Sequence, residues 1–301
     1  MKPGQAEAAP VSLPASRRAT GIGDYVALTK PRLNFLVVLT SAAGYYLGTS
    51  TTPDLVAMTE SVVGTALVAG GAAVLNQVYE RDTDARMRRT RTRPIPDGRV
   101  GVVEARIFGA VLAGCGLGVL ALTANLTAAL LAVATLAIYL VVYTPMKRFS
   151  SAATLVGAVP GALPPLIGWA AAHGSASLGG WTLFGIVFLW QIPHFMAIAW
   201  LYRDDFRSAG FPMLPVVEPD GRRTGQHAVL YAAVLVPVSL APSMVGVSGT
   251  YYFWVALALG LGLFGLAVNF AAGRSERTAR WLFLGSITYL PLLWAAMVLD
   301  H

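Results

Sequence analysis

An all-α, polytopic membrane protein is predicted, with nine transmembrane helices bundled around a central cavity. Three observations carry that prediction. Only 12% of the 301 residues are charged and 55% are hydrophobic, whereas soluble domains carry about 25% charged residues. Apolar runs long enough to cross a bilayer, about 17–25 residues, recur nine times along the chain. All 22 Lys and Arg lie before the first run or in and beside every second connection, the pattern expected of a chain threaded back and forth through a membrane.

Residues 1–23, rich in Pro, Ala and Ser, lack the apolar core and cleavage site of a signal peptide. They read as a disordered cytoplasmic tail, which leaves 24–301 as a single transmembrane domain. DYVALTKPR mixes apolar and charged residues; it is expected to lie along the membrane surface and turn inward at Pro31. The runs fall at 33–50, 57–80, 102–123, 126–145, 152–172, 180–202, 227–247, 251–271 and 280–299. Gly64, Gly70, Gly71, Gly157, Gly161 and Gly168 suit the close helix packing that lipid requires. Pro160, Pro164 and Pro165 are expected to break the fifth run and open a cavity. Cys115, the one cysteine, excludes an intrachain disulfide and a multi-cysteine metal site, and its apolar run predicts a small buried residue.

The positive-inside rule puts the N-terminus in the cytoplasm and the C-terminus outside, in a bacterial plasma membrane or its equivalent. The formal charge of +7 is thus an orientation signal, and nucleic-acid binding is excluded as its cause.

Three clusters carry chemistry. In NQVYERDTDARMRRTRTRPIPDGR, Asn76, Glu80 and Asp84 are spaced i, i+4, i+8 and share one helix face. Polar groups on an apolar helix are costly and usually functional. Mg²⁺ takes one or two carboxylates together with substrate phosphates, which suits this trio; Arg88, near the same line, is a candidate for phosphate. In QIPHFMAIAWLYRDDFRSAGFPMLP, Gln191 and His194 lie inside the sixth run, and His194 is a candidate base, ligand or structural donor. Tyr202 and Arg203 close that run as candidate substrate contacts, and Asp204 or Asp205, with Asp205 favoured, is a candidate for a second metal. In YTPMKR, Tyr143, Lys147 and Arg148 stand on the same side as both acidic clusters, placed to hold a diphosphate or a propionate. Acids, cations and an apolar chamber at one face suggest a substrate with a diphosphate head and a lipid tail.

These segments resemble the intramembrane aromatic prenyltransferase superfamily, and LTKPR, YTPMKR, GALPPLIGWAA, WQIPHFMAIAW and YRDDFRSAGFPMLPVV are similar to its protoheme IX farnesyltransferase (haem O synthase) branch. The resemblance runs from about residue 24 to the C-terminus. It implies nine helices around a cavity near the cytoplasmic face. It also implies Mg²⁺ and farnesyl diphosphate at Asn76, Glu80 and Asp84, haem b as acceptor at its 2-vinyl group, water quenching the resulting cation, and haem O as product. A haem A synthase would be the partner downstream. Two positions depart from the superfamily pattern: Glu80 replaces the commoner Asp, and the second D-x-x-x-D is broken, since Leu201 stands four before Asp205 and Trp200 four before Asp204. The rival readings are a sister prenyltransferase with a quinone or tetrapyrrole-type acceptor, and a membrane transporter. A transporter carries its ionisable groups near the bilayer midplane, whereas these gather at one face.

Overall fold

The computed structural model describes residues 21–301; the first twenty residues of the expected tail lie outside them. Every regular element among the described residues is helical, as a chain in hydrocarbon must satisfy its backbone groups within each segment.

Helix α1 (Ile22–Leu28) buries Leu28 and is followed by a turn at Thr29 and Lys30. Lys30 takes the left-handed conformation (φ 50°), and Pro31 opens α2 (Pro31–Gly48); proline fits a first helical position because its fixed φ suits the helix and its missing N–H would have no partner. Helix α3 (Leu55–Asp84) is capped by Asp54, which accepts from the Val56 and Ala57 N–H groups at 2.9 and 3.1 Å. Helix α4 (Val102–Val119) widens into a π turn, Leu120–Ala124, that ends at Asn125. The Asn125 side chain caps α5 (Leu126–Ala137) by accepting from Ala128 N–H at 2.9 Å.

A second π segment, Ile138–Tyr143, joins α5 to the single turn α6 (Thr144–Met146). Pro145 has no N–H to give the carbonyl four residues back, and a wider turn accommodates that gap. Then come α7 (Ala153–His173), α8 (Leu178–Leu201), the short α9 (Arg203–Ala209) and α10 (Leu214–Val217), and three long helices, α11 (Arg222–Met244), α12 (Thr250–Gly273) and α13 (Glu276–Leu299).

Eight of these segments are long and apolar enough to cross a membrane. The ninth expected span, α2, falls short by composition because it begins with Pro31, Arg32 and Asn34. It nevertheless runs the length of the bundle. Lys30 at its start lines the cavity shared with Glu80, and the carbonyl of Thr49 just past its end lies 3.3 Å from His301 Nε2 at the C-terminus.

Two expectations are corrected. The three prolines of α7 do not break it: the helix is continuous from Ala153 to His173. Its neighbour α2 holds it, with Gly44 against the Pro165 backbone and Gly168 against the Ser41 backbone, so close that a Cβ at either glycine would collide. The cavity wall comes instead from the small surface of Gly157, Pro160, Gly161 and Pro164. Cys115 is exposed, because α4 turns Gly109, Ala113 and Gly116 toward α3 and leaves Cys115 on its outer face.

The connections sort into two ends. At one, side chains from five separate segments pair: Asp24 with Arg99, Glu80 with Lys147, Arg88 with Asp205, and Arg203 with Glu276. At the other, Asp300 accepts from Tyr252 N–H at 2.7 Å, Asn125 donates to the Ala170 carbonyl at 2.8 Å, and His301 meets the Val247 carbonyl. The alternation read from the basic residues is therefore the alternation of the fold.

Candidate active site

At the charged end the bundle encloses a cavity of about 430 Å³, within the usual range for small-ligand sites. Its deeper walls come from α2, α3, α7 and α8 through Val37, Ala69, Ala72, Ala73, Pro164 and Phe195. Its mouth carries Glu80 and Asp84 with four cationic side chains, Lys30, Arg89, Arg93 and Lys147. Two carboxylates against four cations leave a surplus positive charge facing an apolar chamber.

Helix α3 sets the first trio, whose spacing brings Asn76, Glu80 and Asp84 to one face; all are buried, at 1%, 5% and 1% exposure. Asn76 donates to Thr144 Oγ1 at 3.1 Å, and Thr144 in turn donates to the Tyr139 carbonyl at 2.7 Å. This pins the carboxamide with its oxygen as the end left to accept, and ties α3 to the π segment. That segment puts Tyr139 and Tyr143 into the cavity wall, ring centroids 5.4 Å apart. Glu80 Oε1 accepts from Lys147 Nζ at 2.9 Å, and the ammonium also lies 4.5 Å from the Tyr143 ring centre. Burial opposes the Lys147 charge, but Tyr143, Glu80 and Tyr139 outweigh it and hold its pKa above the usual value. Burial, reinforced by Arg93, brings Lys30 down to about 7.

Asp84 Oδ2 accepts from Arg93 Nη1 at 2.6 Å, while its other oxygen, Oδ1, is buried without a partner. A buried carboxylate oxygen without a donor is expensive, and a bound cation would satisfy it. No group of three His, Cys, Asp or Glu side chains among the described residues is placed to share a metal. The donors present are two carboxylates and an amide oxygen. That is a hard-oxygen set that fits Mg²⁺ completed by substrate phosphate and water, and does not fit a soft or fully caged metal.

The second cluster is arranged differently from expectation. Helix α8 ends at Leu201 and α9 restarts the chain in a new direction. Asp205 is mostly buried and faces Arg88 at 3.5 Å, outside the cavity lining. Asp204 points to solvent and pairs with Arg207 at 2.7 Å. Tyr202 lies under Arg89, 5.2 Å from ring centre to guanidinium. Arg203 donates to the Trp200 carbonyl at 2.8 Å and reaches Glu276. Arg148 bonds the Tyr79 carbonyl at 3.2 Å and covers its ring. His194 Nδ1 lies 2.8 Å from Ser286 Oγ, with its ring stacked between Trp190 and Phe283 and off the cavity wall. Arg88 is 82% exposed, because α3 stops at Asp84 and the helix line that would have aligned it does not continue. The two clusters still meet, through Met87 packed with Ala209 and Phe211.

Among the lining residues that sequence reasoning did not single out for the site are Lys30, Arg89, Arg93 and Gln191. Gln191 had a readable signal, as a polar group in mid-span. Lys30 depends on the left-handed turn before Pro31, which local sequence does not announce.

Helices enclosing an apolar chamber with carboxylates and cations at its mouth are the arrangement of an intramembrane prenyltransferase. Residues 37–288 match the UbiA prenyltransferase family, and the chain belongs to that family. It is 44% identical over 287 residues to protoheme IX farnesyltransferase of Solibacter usitatus, covering 92% of this chain and 98% of that one. It is 42% identical over 302 residues to the protein of that name from Koribacter versatilis, covering 97% of each. Among solved structures, a digeranylgeranylglyceryl phosphate synthase superposes with a TM-score of 0.79 at 16% identity, covering 93% of this chain and 98% of that one. A UbiA homologue from Archaeoglobus fulgidus bound to GPP and Mg²⁺ gives 0.67 at 15% identity, covering 91% and 99%. These two establish the fold.

Proposed function

We propose that the protein transfers the farnesyl group of farnesyl diphosphate to the 2-vinyl group of haem b, with addition of water, giving haem O and diphosphate. The observation that carries this reading is the cavity itself, with four cations and two buried carboxylates at the mouth of an apolar chamber. The full-length likeness to protoheme IX farnesyltransferases supplies the substrates.

Asn76, Glu80 and Asp84 would hold Mg²⁺. When bound, the ion draws charge from the diphosphate and makes it a better leaving group. Lys147, Arg93, Arg89 and Lys30 bind the diphosphate oxygens and stabilise the charge that grows on them as the allylic C–O bond opens. The prenyl tail lies along Val37, Ala69, Ala72 and Pro164, which keep water off the reacting carbon. Tyr139, Tyr143 and Phe195 present aromatic faces, which stabilise positive charge in a dry site.

Topology follows the charges. The end carrying the ion pairs faces the cytoplasm of a bacterial plasma membrane, with the N-terminus on that side and the C-terminus outside. The haem O released then becomes available to a haem A synthase.

The test is product formation. Membranes containing the protein, given haem b, farnesyl diphosphate and Mg²⁺, are expected to yield haem O by mass detection. Chelation should abolish it, and Asp84→Asn should cut it by about a hundredfold or more. A prenylated quinone as sole product would favour the sister activity, and substrate flux without diphosphate release would favour transport.

A further inference from the structure

We infer that Gln191 positions the water that completes the reaction. The inference rests on the farnesyl-transfer reading above. Gln191 lines the cavity from the middle of α8 and is 6% exposed. Its Nε2 donates to two carbonyls, Ala158 at 3.2 Å and Val187 at 3.1 Å. Those two acceptors fix which end of the carboxamide is which, since a flipped amide would press its oxygen against both. Oε1 is therefore locked in place, with no protein donor bonded to it. Gly161 makes the room: a Cβ there would run into Oε1. The nearby lining, Pro160, Pro164, Phe195 and Ile198, is apolar.

Depth places this oxygen beyond the diphosphate. Gln191 is ten residues from the end of α8, about 15 Å along its axis, whereas Glu80 is four residues from the end of α3, about 6 Å. The chamber lining also carries Thr135, Thr154, Tyr139 and Tyr143, and a held water, which needs about two to four polar partners, takes Oε1 as one of them.

The bond changes balance as follows. The allylic C–O bond breaks and its electron pair leaves with the diphosphate. The vinyl π pair forms the new C–C bond to the farnesyl carbon and leaves a cation on the vinyl carbon next to the macrocycle. A lone pair of the held water forms the C–O bond there, and the extra proton passes to the diphosphate still in the cavity. Gln191 Oε1 accepts a hydrogen bond from that water and turns its lone pair toward the cation. Without the water, the same cation loses a proton from the adjacent carbon and closes to an alkene, one water lighter than haem O.

The product ratio is therefore the test. Wild type, Gln191→Met and Gly161→Ala are each given haem b, farnesyl diphosphate and Mg²⁺, and both farnesylated haems and released diphosphate are quantified. Methionine keeps length without a strong acceptor; the alanine displaces Oε1 from the other side. Both variants are expected to shift product from haem O to the dehydrated haem by at least about tenfold in ratio, the effect of about 1.4 kcal/mol, while diphosphate release continues. Haem O alone from both variants, at any rate, overturns the inference, because a merely structural role lowers turnover without changing the ratio. Variants that do not accumulate in the membrane are replaced by Gln191→Asn, which keeps the amide but draws its oxygen back by one methylene and is expected to shift the ratio in the same direction; haem O alone from it also overturns the inference. Failure of the wild type to farnesylate haem b would instead remove the reading beneath it.

Discussion

Lys147 Nζ lies 2.9 Å from Glu80 Oε1, with the two side chains only 14% and 7% exposed, and this contact ties α3 to the segment after α6. Removing one partner of a buried pair strands a charge and costs about 3 kcal/mol, whereas removing both leaves none stranded. Lys147→Met and Glu80→Gln are each expected to lose about that much stability in detergent, with the double variant recovering most of the loss. A double-mutant cycle of thermal unfolding checks this; simple additivity would mean the pair is uncoupled. None of the three variants should recover farnesyl transfer.

Arg88 and Arg93 separate a surface role from a site role. Arg88 is 82% exposed and 3.5 Å from Asp205, while Arg93 lines the cavity against Asp84. Arg88→Ala should change kcat/KM for farnesyl diphosphate by less than about fivefold, the most an exposed pair supplies. Arg93→Ala should cost about a hundredfold or more. Steady-state kinetics with varied farnesyl diphosphate measure both.

The contact of α2 with α7 admits no added atoms. At Gly44 and Gly168 a Cβ would meet backbone of the facing helix, which cannot turn aside. Alanine at either position should destabilise by about 3 kcal/mol through overpacking. Alanine at Gly114 or Gly118, where a Cβ meets nothing, should be neutral or stabilising by up to about 1 kcal/mol, through better helix propensity. Unfolding temperatures of the purified variants distinguish the two sets.

Lys30 makes stability depend on pH with a definite sign. Its pKa is about 7 in the folded protein, against about 10.4 for a free lysine. Between those values the unfolded chain binds the extra proton, so stability rises with pH. In the absence of Mg²⁺ and substrate, the melting temperature should climb from pH 7 toward pH 10. Lys30→Met should flatten that rise.

The sequence made some of this legible for clear physical reasons. Hydrocarbon forces helices of near-fixed length, so the apolar runs mark the spans; only α2, diluted by Arg32 and Asn34, escapes a purely compositional criterion. The i, i+4, i+8 spacing of Asn76, Glu80 and Asp84 converts to a shared face because α3 stays regular through Asp84. Where the helix stops, the inference stops too. Arg88 left the line, and Arg93 reached Asp84 through the turns that follow. The change of direction at Tyr202 likewise took Asp204 to solvent and set Asp205 against Arg88. His194 was visible as a polar residue in a span, but its contacts with Phe283 and Ser286 depend on α13, with Ser286 92 positions away.

Every ion pair among the described residues lies at the cavity end, and the far end is held by helix caps and backbone hydrogen bonds. Dissolved ions weaken exposed charge pairs and screen buried ones much less, while the Asp54 and Asp300 caps at the far end bond backbone N–H groups rather than cations. Rising ionic strength should therefore loosen the exposed pairs of the loops around the cavity mouth, such as Arg207–Asp204 and Arg280–Glu276, while the rest of the bundle stays intact, so that turnover falls well before circular dichroism records any loss of helix.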